Sequence, residues 1–215
     1  MSSQDRKPRP EDSPDGTAGS GAPAENESPA PRGDTPSRRR LGLLVAAASL
    51  ALLLDVLTKV LAVAHLEGQP PVRLAGGALY LVLVRNPGAA FSMATGMTWV
   101  LTLIALGVVV WILWIATRLR STGWALGLGL ILGGALGNLV DRFVRSPGPL
   151  RGHVVDFLSV FAPDGSVFPV FNIADSAITV GCATIVLMTL LGRDYDGGVV
   201  RDRKRTEETG QEATR

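Results

Sequence analysis

The stretch FNIADSAITVGCATIVLMTLL, residues 171–191, decides the fold class of this chain, because it is long and apolar enough to cross a lipid bilayer as a helix. Asp175 lies one turn inside the start of this segment, and an ionisable group at membrane depth is a candidate functional residue. Asn172 offers a structural alternative, since it could cap the helix and pair with Asp175 in a capping box. On this stretch alone, capping and chemistry are both open.

The composition describes a membrane protein with polar ends. Of the 215 residues, 47% are hydrophobic, yet residues 1–40 contain hardly any apolar cluster. That segment is rich in Pro, Gly, Ser and charged residues, so it is predicted to be a disordered cytoplasmic tail. Cys182 is the only cysteine. An internal disulfide is therefore excluded, and Cys182 is predicted to be a buried small apolar side chain.

Three further segments are apolar and long enough to span a bilayer, which predicts four transmembrane helices in a membrane domain at 41–192. The predicted spans cover residues 41–64, 99–117, 124–144 and 171–191. Arginines precede the first span, follow the second span and recur in the tail at 193–215, which is also expected to be disordered. The positive-inside rule therefore places both termini on the cytoplasmic side.

Two segments outside the spans contain β-prone sequence. LYLVLVRN, residues 79–86, has the content of a strand, and HVVDFLSVF, residues 153–161, fits a strand or a short helix at the membrane surface. Asp156 lies in the second segment with apolar neighbours on both sides, which disfavours a plain surface charge. The predicted fold is a membrane all-α protein: a four-transmembrane-helix bundle with a small extracytoplasmic β-sheet and a surface loop or helix.

The first and third spans carry patterns that suit close helix packing. Asp55 and Lys59 are one helical turn apart in the first span and can form an ion pair, either to fix packing or to support a site. Gly129, Gly133 and Gly137 recur every fourth residue in the third span. Such a strip of small residues lets another helix approach closely.

The end of the third span is polar. Asp141 follows Gly137 at the same spacing, and Asn138 and Arg142 form a second i, i+4 pair beside it. Asp141 and Arg142 could also be an interfacial pair whose side chains reach toward the lipid headgroups. Packing alone needs the glycines but not this polar end.

The predicted topology brings acids from four segments to the outer face of the membrane. These acids are Asp55, Asp141, Asp156 and Asp175. Independent caps and surface pairs have no reason to converge, so the pattern indicates one site. Two adjacent carboxylates cannot both ionise, and they share a proton. One can then take a proton from water while the other donates to a carbonyl oxygen, as in aspartic proteases. Asp156 and Asp175 suit these roles.

Five motifs in this order resemble lipoprotein signal peptidase (signal peptidase II). They are DVLTK at 55–59, RNPGAAFS at 85–92, GGALGNLVDR at 133–142, GHVVDF at 152–157 and FNIADSAI at 171–178. The resemblance covers residues 41–191. Ser146–Arg151 is longer and richer in Pro and Gly than is expected of the family, and the tail at 1–40 lies outside the resemblance.

The resemblance implies a bacterial inner-membrane aspartyl protease with a flexible outer segment and an active site on the extracytoplasmic side. It implies a catalytic dyad of Asp156 and Asp175. The residues implied to hold the substrate or support the dyad are Asp55, Lys59, Asn86, Gly88, Asn138, Asp141, Arg142 and Asn172.

The implied substrates are diacylglyceryl-modified prolipoproteins, cut just before the lipidated cysteine. Membrane lipid is the implied surrounding, and inhibition by a globomycin-type cyclic peptide is expected. No cofactor, metal or nucleic-acid partner is implied.

Other functions remain open on the residues alone. A transporter or proton-relay protein could use the intramembrane acids and bases, but a relay needs polar groups through the full depth of the spans, and the inner halves are nearly free of them. A purely structural scaffold is a third reading. A serine hydrolase using His153 with Ser159 or Ser176 lacks a G-x-S-x-G motif, and a zinc site with His65 lacks HExxH spacing.

Overall fold

The computed structural model describes residues 38–88 and 98–198, and its architecture is a bundle of four long helices. The helices are α1 (Arg38–Leu66), α2 (Thr98–Ala116), α3 (Thr122–Val144) and α4 (Ile173–Leu190). Each of the four is long and apolar enough to cross a membrane. The four predicted spans are confirmed, with ends that differ by only a few residues.

A small antiparallel sheet covers one end of the bundle. Its strands are β1 (Val72–Leu74), β2 (Leu79–Asn86) and β3 (Val154–Val160), in the order β1-β2-β3. The strand predicted at 79–86 is confirmed as β2, and the segment at 153–161 forms a strand rather than a short helix. Val84 of β2 pairs with Asp156 of β3, next to a register shift between Leu81 and Val84. Asp156 therefore lies on β3, an edge strand of the sheet, beside the register shift.

We call the end that carries the sheet the sheet end. The helices α1 and α3 finish there, whereas α2 and α4 begin there. Ala62 and Leu66, near the end of α1, pack in one apolar cluster with Val155 and Phe157 of β3. This cluster fixes the sheet on the bundle, so that Asp156 of β3 and Asp175 of α4 can line the same cavity.

The helix α3 occupies the centre of the bundle and packs against each of the other three helices. The predicted glycine strip of α3 faces α1. The α1 residues opposite Gly129, Gly133 and Gly137 are, in order, Leu44 and Ala47, Ala48 and Ala51, and Asp55. A Cβ atom on Gly133 would lie 2.8 Å from Ala51 Cβ, too close without a shift of one helix. The strip thus sets the register that brings the polar end of α1 to the polar end of α3.

A second set of glycines, which the sequence pattern did not single out, joins α3 to α4. Gly127 and Gly181 face each other across this contact, and a Cβ on Gly181 would lie 2.7 Å from the Gly127 carbonyl oxygen. Gly134 faces the carbonyl of Ala174, next to Asp175. Close approach on two faces of α3 therefore aligns the start of α4 with the end of α1.

At the opposite end, the chain after α4 folds back on the loop between α2 and α3. Tyr195 packs edge-on against Trp124 with ring centroids 6.1 Å apart, and its carbonyl oxygen accepts the amide hydrogens of Arg120 (2.8 Å) and Ser121 (3.1 Å). Residues 193–198 of the predicted tail therefore pack on the bundle. The rest of that tail and residues 1–37 lie outside the described residues, as do residues 89–92 of the RNPGAAFS motif.

Cys182 corrects one prediction. Its side chain is exposed on α4 rather than buried. In a bilayer, an apolar side chain gains nothing from choosing a protein neighbour over a lipid chain, because both are equally apolar. The rule that places small apolar residues inside a soluble protein therefore does not fix the orientation of Cys182.

Candidate active site

A cavity of about 1200 Å³ opens at the sheet end between the strands, α2, α3 and α4. Asp156 and Asp175 both line it. The other polar side chains in its wall include Asn86, Asn138, Arg142, Asp164, Ser176 and Thr179. The cavity also has apolar wall residues, including Leu101, Phe168 and Val180. Charged groups and apolar surface therefore meet in one concave site.

Asp156 is nearly inaccessible to solvent, with 2% of its surface exposed. Asn172 Nδ2 donates to its Oδ1 at 2.7 Å, and Asn86 Nδ2 donates to its Oδ2 at 2.8 Å. The pKa of Asp156 is raised to about 7, mainly by burial and also by the nearby charge of Asp175, although the hydrogen bonds from the amides of Asn86 and Asn172 act in the opposite direction. Asp156 can therefore keep a proton near neutral pH.

Asp175 lies in the first turn of α4, where a negative charge is favourable for the helix dipole. Its amide donates to Asn172 Oδ1 at 2.9 Å, and the amide of Asn172 donates to Asp175 Oδ2 at 3.2 Å. These bonds form the capping box considered from the sequence. Asn138 Nδ2 donates to Asp175 Oδ1 at 2.9 Å.

Asn172 both caps α4 and contacts the second acid. Its side-chain oxygen caps α4 at Asp175, while its side-chain amide donates to Asp156. One fully buried side chain therefore ties both acids to a common frame.

Lys59 is the centre of a buried polar network behind the cavity. Only 1% of its surface is exposed, and its Nζ lies 2.8 Å from Asp55 Oδ2, 2.9 Å from Asp141 Oδ2 and 2.9 Å from Asn138 Oδ1. Asp55 Oδ1 in turn accepts the amide hydrogen of Ala174 at 2.8 Å. The predicted Asp55–Lys59 pair is confirmed. It connects to the first turn of α4 by two routes: Asp55 binds the amide of Ala174, and Lys59 binds Asn138, which donates to Asp175.

The interfacial interpretation required Asp141 to pair with Arg142, but the structure shows other partners for Asp141. Its carboxylate contacts Lys59, the Nε of Arg145, and the amide of Val155 at 3.1 Å. Asp141 is 2% exposed, so it is an internal anchor rather than a residue reaching toward headgroups. The spacing of four residues to Arg145 is visible in the sequence, but its meaning depends on where β3 packs.

Arg142 is buried and lines the cavity with the two acids. Among the described residues, the hydrogen bond found for its guanidinium goes from Nη1 to the Gly152 carbonyl oxygen at 3.4 Å. A guanidinium carries five N–H groups, and Arg142 lines the cavity, so it has donors to offer beyond this bond. Arg142 is placed to bind a carbonyl oxygen of a ligand.

Gly88 orients Asn86 through a local turn. Its amide donates to Asn86 Oδ1 at 2.8 Å, which turns the Asn86 amide group toward Asp156. Gly88 has a φ of 106°, and a Cβ atom there would collide with Leu101. This local contact therefore orients Asn86 in the wall of the cavity.

The segment Ser146–Arg151, whose position the sequence did not predict, packs beside the site. The amide of His153 donates to the Ser146 carbonyl at 3.0 Å, and Thr102 Oγ1 of α2 donates to the Leu150 carbonyl at 2.9 Å. Thr102 is fully buried, and no sequence motif marked it. Ser159, considered for a hydrolase, donates its hydroxyl to the Ala162 carbonyl at 2.6 Å.

The arrangement of two acids and an arginine in the wall of one cavity, with three asparagines that hydrogen-bond the acids, can be compared with known proteins. The family profile described as "Signal peptidase (SPase) II" matches residues 47–191. The chain belongs to the signal peptidase II family. It is accordingly a multi-pass membrane peptidase of the aspartic class.

Relatives named lipoprotein signal peptidase support this membership. The protein of Mycolicibacterium smegmatis is 57% identical over 175 residues, covering 81% of this chain and 70% of the relative. The protein of Mycobacterium avium is 56% identical over 182 residues, covering 85% and 95%. The protein of Rhodococcus jostii is 55% identical over 186 residues, covering 81% and 91%.

Two solved structures of bacterial membrane enzymes share the fold. One has 25% sequence identity and a TM-score of 0.61, and the match covers 74% of this chain and 97% of the other. The second has 26% identity and a TM-score of 0.59, with coverage of 69% and 88%. The four-helix bundle with its small sheet is therefore an architecture that has been observed in membrane enzymes.

Proposed function

We propose that this signal peptidase II is an intramembrane endopeptidase that cuts diacylglyceryl-modified prolipoproteins just before the lipidated cysteine, with Asp156 and Asp175 as its catalytic dyad. The observation that carries the proposal is the position of Asn172, which hydrogen-bonds both acids at the wall of one cavity.

The charges around the dyad favour one shared proton. The cations in the network are Lys59, Arg142 and Arg145, and the carboxyl groups are Asp55, Asp141, Asp156 and Asp175. This set is neutral when one carboxyl group is protonated. Asp156 is the natural holder, because its pKa is about 7, while Asp175 sits at the helix end that favours negative charge. The two acids thus have different environments, as acid and base roles require.

The cleavage step follows from these states. Asp175 takes a proton from a water molecule, and the water oxygen attacks the scissile carbonyl carbon. Asp156 gives its proton to the carbonyl oxygen at the same time, which forms a tetrahedral diol. Asp175 then gives its proton to the leaving amide nitrogen as the C–N bond breaks, and Asp156 takes a proton from one hydroxyl group of the diol. The products are a carboxylic acid and an amine, and the dyad again holds one proton. Arg142 and Asn86 hold the peptide backbone in line with the acids.

The walls of the cavity suit a substrate that is part peptide and part lipid. Phe168 lies on the loop before α4, and Leu101 and Val180 lie on the two helices that flank the opening. An acyl chain attached to the substrate cysteine can rest on this apolar surface while the peptide bond reaches the acids. A cyclic lipopeptide of the globomycin type would occupy the same space and inhibit competitively.

The orientation in the membrane belongs to the same proposal. Both described chain ends and the loop between α2 and α3 lie opposite the sheet end. Arg118, Arg120 and Arg193 lie at that end, so the positive-inside rule puts it in the cytoplasm. The dyad then faces the extracytoplasmic side of the bacterial inner membrane, where exported precursors emerge.

The test is a cleavage assay in liposomes with one precursor in two forms. The first form carries the diacylglyceryl group on its cysteine, and the second carries the free thiol. We expect mass spectrometry to locate a single cut immediately before the modified cysteine and kcat/KM for the free thiol form to be lower by at least about 100-fold, because two buried acyl chains contribute many CH₂ groups of binding free energy. Equal rates for both forms, or a cut elsewhere, would contradict the proposal.

A further inference from the structure

The carboxylate of Asp141 is held at both of its oxygens. Its Oδ1 contacts the Nε of Arg145, and its Oδ2 lies 2.9 Å from Lys59 Nζ and accepts the amide hydrogen of Val155 at 3.1 Å. Each oxygen of the carboxylate therefore contacts a cation, and Oδ2 also accepts the amide hydrogen of Val155. With two opposed ion pairs, its plane has one favourable orientation.

Arg145 is the residue that follows the last residue of α3, and its side chain folds back onto that helix. Its amide donates to the Asp141 carbonyl at 2.9 Å, while its side chain, 22% exposed, pairs with the Asp141 carboxylate. Removal of this side chain would leave Asp141 Oδ1 without its ion-pair partner. The carboxylate could then rotate toward Lys59, which would weaken the bond from Oδ2 to Val155.

The bond between Asp141 and Val155 matters because Val155 immediately precedes Asp156. The start of β3 is tied to the end of α3 at two points: Gly152 donates to the Arg142 carbonyl at 3.1 Å, and Val155 donates to Asp141. The first tie leaves no room for a side chain at Gly152, since a Cβ there would lie 2.9 Å from the carbonyl oxygens of Arg142 and Arg145. The second tie sets the height of Asp156 over the cavity.

We propose that Arg145 is a positioning residue for Asp156, which acts through the Asp141 carboxylate and the Val155 amide. This inference rests on the proposed function, because it assigns Arg145 a role in the alignment of the dyad. Among the described residues that line the cavity, Arg145 is absent, so its role is one of positioning.

The first test compares Arg145→Gln, Arg145→Lys and Arg151→Gln in the liposome cleavage assay. We expect Arg145→Gln to lower kcat by about 10-fold to 100-fold with KM nearly unchanged, because a misplaced catalytic group affects the chemical step rather than binding. Arg145→Lys keeps a cation within reach of Asp141 and should recover part of the loss. Arg151→Gln removes an exposed arginine from the same outer segment, and kcat should stay at the wild-type value.

The second test is a double-mutant cycle with Asp141→Asn. If Arg145 acts through Asp141, the double variant should lose no more kcat than Asp141→Asn alone, whereas independent effects would multiply. Should Arg145→Gln fail to accumulate in the membrane, Arg145→Lys takes its place in both tests and should still lower kcat several-fold. A wild-type kcat for the Arg145 variant, or multiplicative effects in the cycle, would overturn the inference. Failure of the wild-type protein to cut the lipidated precursor would instead overturn the proposed function.

Discussion

Asp156 is nearly inaccessible to solvent and accepts hydrogen bonds from two side-chain amide groups. This environment couples its protonation to the stability of the fold. Its pKa rises from the ordinary value of 3.8 in the unfolded chain to about 7 in the folded protein. The folded state therefore binds the proton more tightly than the unfolded state between these two pH values. Stability is lost as the pH rises through that window.

As the pH is raised from 5 to 8, we expect the thermal midpoint of the wild-type protein in detergent to decrease relative to that of Asp156→Asn. The variant has no carboxyl group at this position, so it avoids a loss of about 3 kcal/mol, because about two pH units of the interval between the two pKa values lie above pH 5. Differential scanning fluorimetry at several pH values measures the two midpoints. A constant difference between the two proteins across this range would contradict the raised pKa of Asp156.

Sequence reasoning reached the residues of the site better than their contacts. Asp175 and Asn172 could be found because charged and amide groups are conspicuous at the end of an apolar span, and Asp156 could be found because it has apolar neighbours on both sides in a segment outside the spans. The pairing of Asp141 with Arg145 could not, since an arginine four residues from an acid on the outer face also fits a solvent-exposed pair. Only the position of Val155 shows that this carboxylate is internal.

At the scale of elements, α3 is the helix that aligns the others. One of its glycine strips faces α1 and was predictable from a four-residue spacing. The strip that faces α4 was harder to find, because Gly127 and Gly134 are seven residues apart and their partner Gly181 lies on another helix. The lipid-facing orientation of Cys182 was equally hidden, since apolar residues can face lipid or protein at similar free energy.

We expect Gly133→Ala to lower the thermal midpoint and the cleavage rate together. The new methyl group would press on Ala48 and Ala51, and overpacking of this kind costs about 1–3 kcal/mol. Relief by a shift of α1 would also displace Lys59 from the polar end of α3. Gly107→Ala in α2 is the matched control, because no atom lies within 4 Å of a Cβ there. A destabilisation by Gly107→Ala as large as that by Gly133→Ala would argue against the packing account.

For the whole molecule, the bundle is mostly apolar, and its buried polar network is concentrated at the sheet end. The bundle at the opposite end is closed by ordinary apolar packing of Leu44, Ile112 and Leu128, with Trp124 and Tyr195 beside them. The class of the fold, the four spans and the grouping of Asp55, Asp141, Asp156 and Asp175 at one end followed from the sequence. The packing of residues 193–198 did not, because a polar tail carries no pattern that predicts where it folds back.

The most direct measurement for the shared-proton dyad is single-turnover cleavage of the lipidated precursor by Asp156→Asn and by Asp175→Asn, with Asp196→Asn at the opposite end as the matched control. We expect each dyad variant to lose at least about 1,000-fold in rate while it remains inserted, because acid and base act as a unit. The control should cut at the wild-type rate. Turnover at the wild-type rate by either dyad variant would contradict the account.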